Sequence, residues 1–211
     1  MKPSTISPVM DRFLKTIEGL CSTRHYPQPT FPMPDKVWES VSKLSLTKDF
    51  ICIAVGAARK TKQIPPQKIQ EVLDELHSKN IILLGGPGEN QLTKALTLGP
   101  KVINLVSQLS ILESGAVISQ ARALLTGDTG MMHIAAALGT PIVAIFGSTH
   151  PDMGYAPYYN GAKNPPIIFQ HTTLKCRPCT KHGKDSCPKG HFKCMEELEM
   201  SEVVQALSSV K

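Results

Sequence analysis

At 211 residues, 41% of them apolar and 19% charged, the chain is long enough for one folded domain with appendages and too rich in Leu, Ile, Val and Ala to be disordered. Its net charge of +6 favours an anionic ligand or surface, while the lack of basic–aromatic interleaving argues against nucleic acid as a partner. No apolar run reaches the roughly 18 residues of a membrane span, and residues 1–20 lack an apolar signal core, so the cytosol is the expected compartment.

In chain order, residues 9–20 predict a short amphipathic helix with Val9, Phe13, Leu14 and Ile17 on one face. Prolines at 27, 29, 32 and 34 then impose an extended linker, because proline fixes φ and removes a donor. Residues 35–45 predict a leading helix. From residue 50 the pattern changes to short apolar β-prone runs alternating with helical segments. The strands expected are 50–55, 81–86, 101–105, 122–127, 141–147 and 165–170. Helices are expected over 66–80, 88–97, 110–121 and 129–138, and a closing helix over 195–210 turns Val203, Val204 and Leu207 inward. Strands that are apolar throughout belong to a parallel sheet covered on both faces. The expected fold class is therefore α/β, a Rossmann-like doubly wound parallel sheet. Residues 1–49 are read as a linker and leading helix, 50–170 as the Rossmann-like domain, and 171–211 as a Cys-rich segment with the closing helix.

In such sheets ligands sit beyond the carboxyl ends of the strands. The loops there read "GAARKTK", "GGPGE", "GDTG" and "GSTHP", all rich in glycine or small polar residues. In "GDTGMMH", Asp128 is placed to cap a helix, Thr129 and Gly130 leave their amides pointing outward, and His133 shares the face of Thr129 one turn deeper. That makes either a diphosphate cradle at a helix N-terminus or a simple cap with His133 in the core. Arg59, Lys60 and Lys62 are either ligands facing the same cleft or a solvated charge run. Glu89 either accepts from two ribose hydroxyls or is a first-turn acid favoured by the helix dipole.

Cys176, Cys179, Cys187 and Cys194 fall within nineteen residues, with His182 and His191 as spare ligands. They suit a tetrahedral structural zinc, although the second pair is spaced by six residues; the alternative is a loop of reduced thiols. A disulfide framework is disfavoured in the cytosol. Lys175, Arg177, Lys181, Lys184, Lys189 and Lys193 give this segment six cations, either a solvated basic loop or a contact with an anionic membrane surface. Cys21 and Cys52 stand apart and are read as packing residues.

The stretch "LLTGDTGMMHIAAALGTPIVAIFGSTHP" resembles the signature of the family-9 glycosyltransferases, the ADP-heptose:lipopolysaccharide heptosyltransferases. "GAARKTKQIP" is similar to the family's small-residue loop, which ends in a lysine two residues before an aromatic–proline pair; Ile64 stands where tryptophan is usual. "LLGGPGE" and "VSQLSILESGAVISQARALLTGDTG" are similar to the next strand and the run that follows. The resemblance is strong over roughly residues 50–150. It implies one half of a GT-B fold: the donor-binding C-terminal domain, preceded by the interdomain linker. The acceptor-binding N-terminal domain, with its catalytic carboxylate, would be missing. By the same resemblance, Lys62 binds the diphosphate of an ADP-heptose-type donor, Glu89 the ribose, and Leu109 the base. Asp128, Thr129, Gly130 and His133 surround the diphosphate and sugar. Ala57 and Ala58 stand where some members carry hydroxyls. The implied reaction is inverting transfer to a lipid A-core type acceptor in lipopolysaccharide core biosynthesis, with no cofactor required, at the inner face of the cytoplasmic membrane. The chain alone is expected to be inactive. The alternatives are a non-catalytic nucleotide- or sugar-binding module that has lost its acceptor domain and, less favoured, a zinc-stabilised interaction protein.

Overall fold

The computed structural model describes residues 7–20, 28–158 and 165–210; Cys21 and Pro27 lie outside them. Six strands, β1 (Phe50–Ala54), β2 (Asn80–Leu84), β3 (Val102–Asn104), β4 (Ala123–Gly127), β5 (Ile142–Phe146) and β6 (Ile167–Gln170), form one sheet in the order β3-β2-β1-β4-β5-β6. Every neighbouring pair is parallel, with Cys52 between Ile82 and Leu124. The doubly wound expectation is met. β1, β4 and β5 are buried along their whole length, which is why their sequences show no polar alternation.

Side-chain alternation sends one set of residues to each face. Ile51, Ile53, Leu83, Leu125 and Ile145 meet α3 (Pro66–Glu75), α7 (Lys193–Glu196) and α8 (Met200–Ser209) on one side. Phe50, Cys52, Ala54, Leu124 and Phe146 meet α2 (Asp35–Ser42), α5 (Ile111–Ser119) and α6 (Gly130–Leu138) on the other. Cys52 is completely buried, and that burial drives its thiol pKa far up, leaving an inert packing residue. Val203 and Leu207 are buried as expected, but the closing helix is broken in two, with Glu199 extended between α7 and α8. The predicted helix at 88–97 shrinks to a tight turn over Pro87–Glu89 and the short α4 (Asn90–Lys94). α1 (Val9–Lys15) is shorter than expected and buries none of its residues; Phe13 on it and Ile17 in the turn that follows stand exposed. The linker lies along α5: a Cβ on Gly115 would come 2.5 Å from the Phe31 ring.

α5 begins with a capping box, Ser110 and Glu113 each bonding the other's backbone N–H. The Ser40 hydroxyl of α2 also donates to Glu113 at 2.5 Å. These donors lower the Glu113 pKa to about 2 from 4.5. A depressed carboxylate stabilises the fold above its unfolded pKa and loses that contribution as pH falls toward its folded one. Glu113→Gln is therefore expected to lower the melting temperature at pH 7, the deficit closing between pH 4.5 and pH 2; thermal melts at stepped pH check this.

Candidate nucleotide site

Strand order reverses between β1 and β4, which opens a crevice at their carboxyl ends. Chain leaving β1 forms a tight turn over Lys60–Lys62. This turn crosses the ends of the neighbouring strands so closely that a Cβ on Gly127 would lie 2.3 Å from the Lys62 carbonyl oxygen, and one on Gly147 would lie 3.0 Å from that of Thr61. Only glycine permits such backbone approach.

The turn delivers the Lys62 ammonium to 3.0 Å from Asp128 Oδ2; their side chains are 17% and 5% exposed. The same carboxylate oxygen accepts from the Thr149 hydroxyl at 2.8 Å. Asp128 is thus not the cap of α6. The residue flanking that helix is Thr129, whose side chain makes no capping bond and meets the Thr126 hydroxyl at 2.9 Å instead. Buried at the end of β4, Asp128 finds a cation and a hydroxyl from two other loops, and these partners outcompete the exposed amides one residue on. The first-turn amides of α6 consequently have no side-chain cap, and nothing lies within 4 Å of where a Gly130 Cβ would stand. An uncapped helix N-terminus beside a lysine attracts anions.

His133 lies within the fields of both Lys62 and Asp128. Its ring is solvent-accessible, yet the surrounding protein excludes enough bulk water to hold its pKa below 6.5; Asp128 raises it and Lys62 lowers it. At pH 7 it is a neutral ring able to donate one N–H. His133 also borders a cavity of about 280 Å³ lined by Pro8, Met10, Ala136, Tyr155 and Tyr158.

Across the crevice, the Glu89 carboxylate hangs over Gly56: a Cβ there would meet its Cδ at 2.5 Å. Ala57 and Ala58 lie on the loop between Gly56 and the lysine turn, the Ala57 carbonyl accepting from Gln63 at 3.3 Å. Leu109, after β3, is half-buried against the α5 side of the core. Lys62, Asp128, Thr129, Gly130 and His133 therefore form one group, with Glu89 over the first turn beyond β1.

Several residues that organise the site were not foreseen. Thr61, 2% exposed, receives a hydrogen bond on its hydroxyl from Ser148 (2.8 Å) and another from the Lys184 amide (2.8 Å), and its own amide donates to the Lys184 carbonyl (3.0 Å). Arg177 donates to the carbonyls of Gly147, His171, Phe146 and Thr149 and to the Gln170 side chain, so it belongs to the interior and not to a basic surface. His182 packs edge-on against Tyr155, 5.4 Å between ring centres. Thr61, Ser148 and Thr149 fall in loops that the sequence points to and Arg177 among its cations, but their individual roles depend on which distant segments meet.

The sequence profile of "Glycosyltransferase family 9 (heptosyltransferase)" matches residues 22–187. The chain belongs to glycosyltransferase family 9. Lipopolysaccharide heptosyltransferase 3 of Escherichia coli is 26% identical over 133 residues, 58% of this chain and 39% of that protein. Among solved structures, the family-9 glycosyltransferase of Veillonella parvula superposes with a TM-score of 0.78 at 19% identity, covering 99% of this chain and 61% of that one. E. coli ADP-heptose lipopolysaccharide heptosyltransferase II superposes with a TM-score of 0.70 at 19% identity, over 100% and 63%. This family-9 chain thus spans less than two thirds of the length of these relatives, and its six-stranded layer has the fold of part of the two solved structures.

Proposed function

We propose that this chain is the donor-binding half of an inverting glycosyltransferase that builds lipopolysaccharide core, taking a nucleotide diphosphate sugar of the ADP-heptose class. The observation that carries this reading is Lys62 held at the switch point of the sheet beside the uncapped N-terminus of α6. A diphosphate seated there receives the Lys62 ammonium, the first-turn amides and the His133 N–H, which together stabilise it as a leaving group without a metal. Asp128 positions Lys62 and contacts no substrate. Glu89 takes the ribose hydroxyls, and Leu109 offers apolar surface to the base.

In the transfer, an acceptor hydroxyl attacks the anomeric carbon, the diphosphate departs, and a general base takes the hydroxyl proton. Asp128 is committed to Lys62 and Thr149, and Glu89 to the ribose. The proposal assigns the base and the lipid A-core type acceptor to an N-terminal acceptor domain, with catalysis at the inner face of the cytoplasmic membrane. This chain alone is expected to bind donor and transfer nothing.

Calorimetry with ADP and with pyrophosphate tests the reading. Gly56→Ala pushes only the flexible Glu89 side chain aside, so it should weaken ADP binding about tenfold, the worth of a charged hydrogen bond, while leaving pyrophosphate affinity and the melting temperature unchanged. Failure of wild-type chain to bind ADP overturns the donor-site assignment. Sugar transfer by the chain alone overturns the assignment of the base to another domain.

A further inference from the structure

Among the described residues no three His, Cys, Asp or Glu side chains form a group able to hold a metal ion, so the zinc expected at Cys176, Cys179, Cys187 and Cys194 has no preformed site. A cavity beside the N-terminal segment is better furnished for a ligand. It measures about 280 Å³ and is bounded by Val9 and Met10 of α1, Ala136 of α6, Tyr155 and Tyr158, with His133 at its border. The Val9 amide donates to the Gly154 carbonyl at 2.9 Å, and the Gln28 side chain donates to the carbonyls of Ala136 at 3.0 Å and Tyr158 at 3.4 Å. Those backbone acceptors are taken, and the wall that remains is mostly carbon. A sugar buried there would leave several hydroxyls without partners, a cost that a chain of methylenes avoids. An apolar cavity of about 150 Å³ holds one benzene-sized group, so this one takes roughly ten carbons of chain.

Two features of α1 continue from this cavity. Val9, in its wall, begins a stripe with Phe13 and Ile17 at intervals of four residues, the spacing of one helical face. Phe13 is 65% exposed, Ile17 41% and Leu20, at the end of the following turn, 87%. Asp11 falls on the other side of the helix, about 200° around from Val9. The second feature is Arg12. Its guanidinium reaches Gly154 in the cavity wall, where a Cβ would lie 3.5 Å from Nη2. Its Nε is buried and has no hydrogen-bond partner, and no carboxylate pairs with it among the described residues. A buried donor with nothing to receive it is costly, and the acceptor that best relieves a guanidinium is an anion. Lys15, three residues on and exposed, shares its side of the helix.

We propose that the cavity and α1 form a site for one anionic phospholipid at a bilayer surface. One acyl chain enters the cavity, the headgroup phosphate accepts from Arg12 Nε and faces Lys15, and Phe13, Ile17 and Leu20 sit among neighbouring chains. A polypeptide partner would account for the stripe alone. The cavity and the orphaned Nε beside it suit a molecule that carries both an apolar chain and an anion. Because His133 borders the same cavity, this contact turns the diphosphate end of the crevice toward the membrane. Only its relevance to sugar transfer rests on the proposed donor role; lipid binding is measured without nucleotide.

Flotation of the full chain with vesicles tests the site. Vesicles of phosphatidylcholine mixed equally with phosphatidylglycerol should bind at least about tenfold more tightly than phosphatidylcholine alone, each of two cations near the surface contributing about fivefold. Arg12→Gln should lose about fivefold on the mixed vesicles, and Phe13→Ser/Ile17→Ser most of the binding. Both variants should keep the wild-type melting temperature, since α1 buries none of its residues. In isotope-labelled chain, a nitroxide on the acyl chain should broaden the amide signals of Ala136 and Tyr155 and spare that of Leu76, which packs on the far face of the sheet. No binding to either vesicle overturns the proposal, as does a dimer that forms in its place and is lost in Phe13→Ser/Ile17→Ser. Equal binding to both vesicles, or no loss in Arg12→Gln, overturns the phosphate contact. Binding without broadening at Ala136 overturns the acyl-chain site. Failure to bind ADP bears on the donor site alone.

Discussion

Lys62→Met is expected to weaken ADP binding by about 2–3 kcal/mol, roughly 30- to 150-fold, the worth of charge-assisted hydrogen bonds to a diphosphate. The same change leaves Asp128, 5% exposed on its side chain, with only the Thr149 hydroxyl. An almost fully buried carboxylate that loses its cation also destabilises the fold, by about 1–3 kcal/mol. The two effects separate in the double variant Lys62→Met/Asp128→Asn. There the amide oxygen still accepts from Thr149 and no buried charge is left unpaired, so stability returns while ADP affinity does not. Calorimetry and thermal denaturation of the three proteins decide the matter. Recovery of ADP binding in the double variant would reduce Lys62 to a structural residue. The wild-type affinity should also fall with salt more steeply than that of Lys62→Met, because salt screens the attraction between the ammonium and the diphosphate.

Gly127→Ala is expected to cost about 3 kcal/mol, lowering the melting temperature by roughly 6–12 °C for a chain of this size. The new methyl group would lie 2.3 Å from the Lys62 carbonyl oxygen. That oxygen is backbone, and the turn carrying it is tied down through Thr61 to Ser148 and Lys184, so neither side can yield cheaply. Gly130, three residues on, is the contrast. Its substituent would meet nothing within 4 Å, and Gly130→Ala should keep or slightly raise stability while obstructing a diphosphate at the α6 amides. Equal losses of stability at both positions would disprove the close crossing of the 60–62 turn.

The sheet was legible because its strands are buried on both faces: "FICIA", "ALLTG" and "IVAIF" have no polar alternation to mislead. The end of α6 was legible for a different reason. Gly139 adopts the left-handed conformation (φ +73) that terminates helices. The Asp128 cap failed because it was inferred from adjacency. An aspartate beside a helix start has the right spacing for a cap, but spacing is silent about a lysine arriving from another loop 66 positions earlier in the chain. Thr61, Ser148 and Arg177 were invisible on the same ground. Each is an ordinary residue until residues 177–184 return across β5. Glu89 was readable as the acid beyond β2, but its position over Gly56 follows from the parallel pairing of β1 and β2, which no local pattern encodes.

The Thr61–Lys184 contact joins residues 123 positions apart, and this separation orders events during synthesis on the ribosome. β1, at the heart of the sheet, emerges before the other five strands. The partner that immobilises the lysine turn emerges only after the last strand. The contact that holds the Lys62 turn, and with it the proposed donor pocket, is therefore completed late in translation, after all six strands have been made.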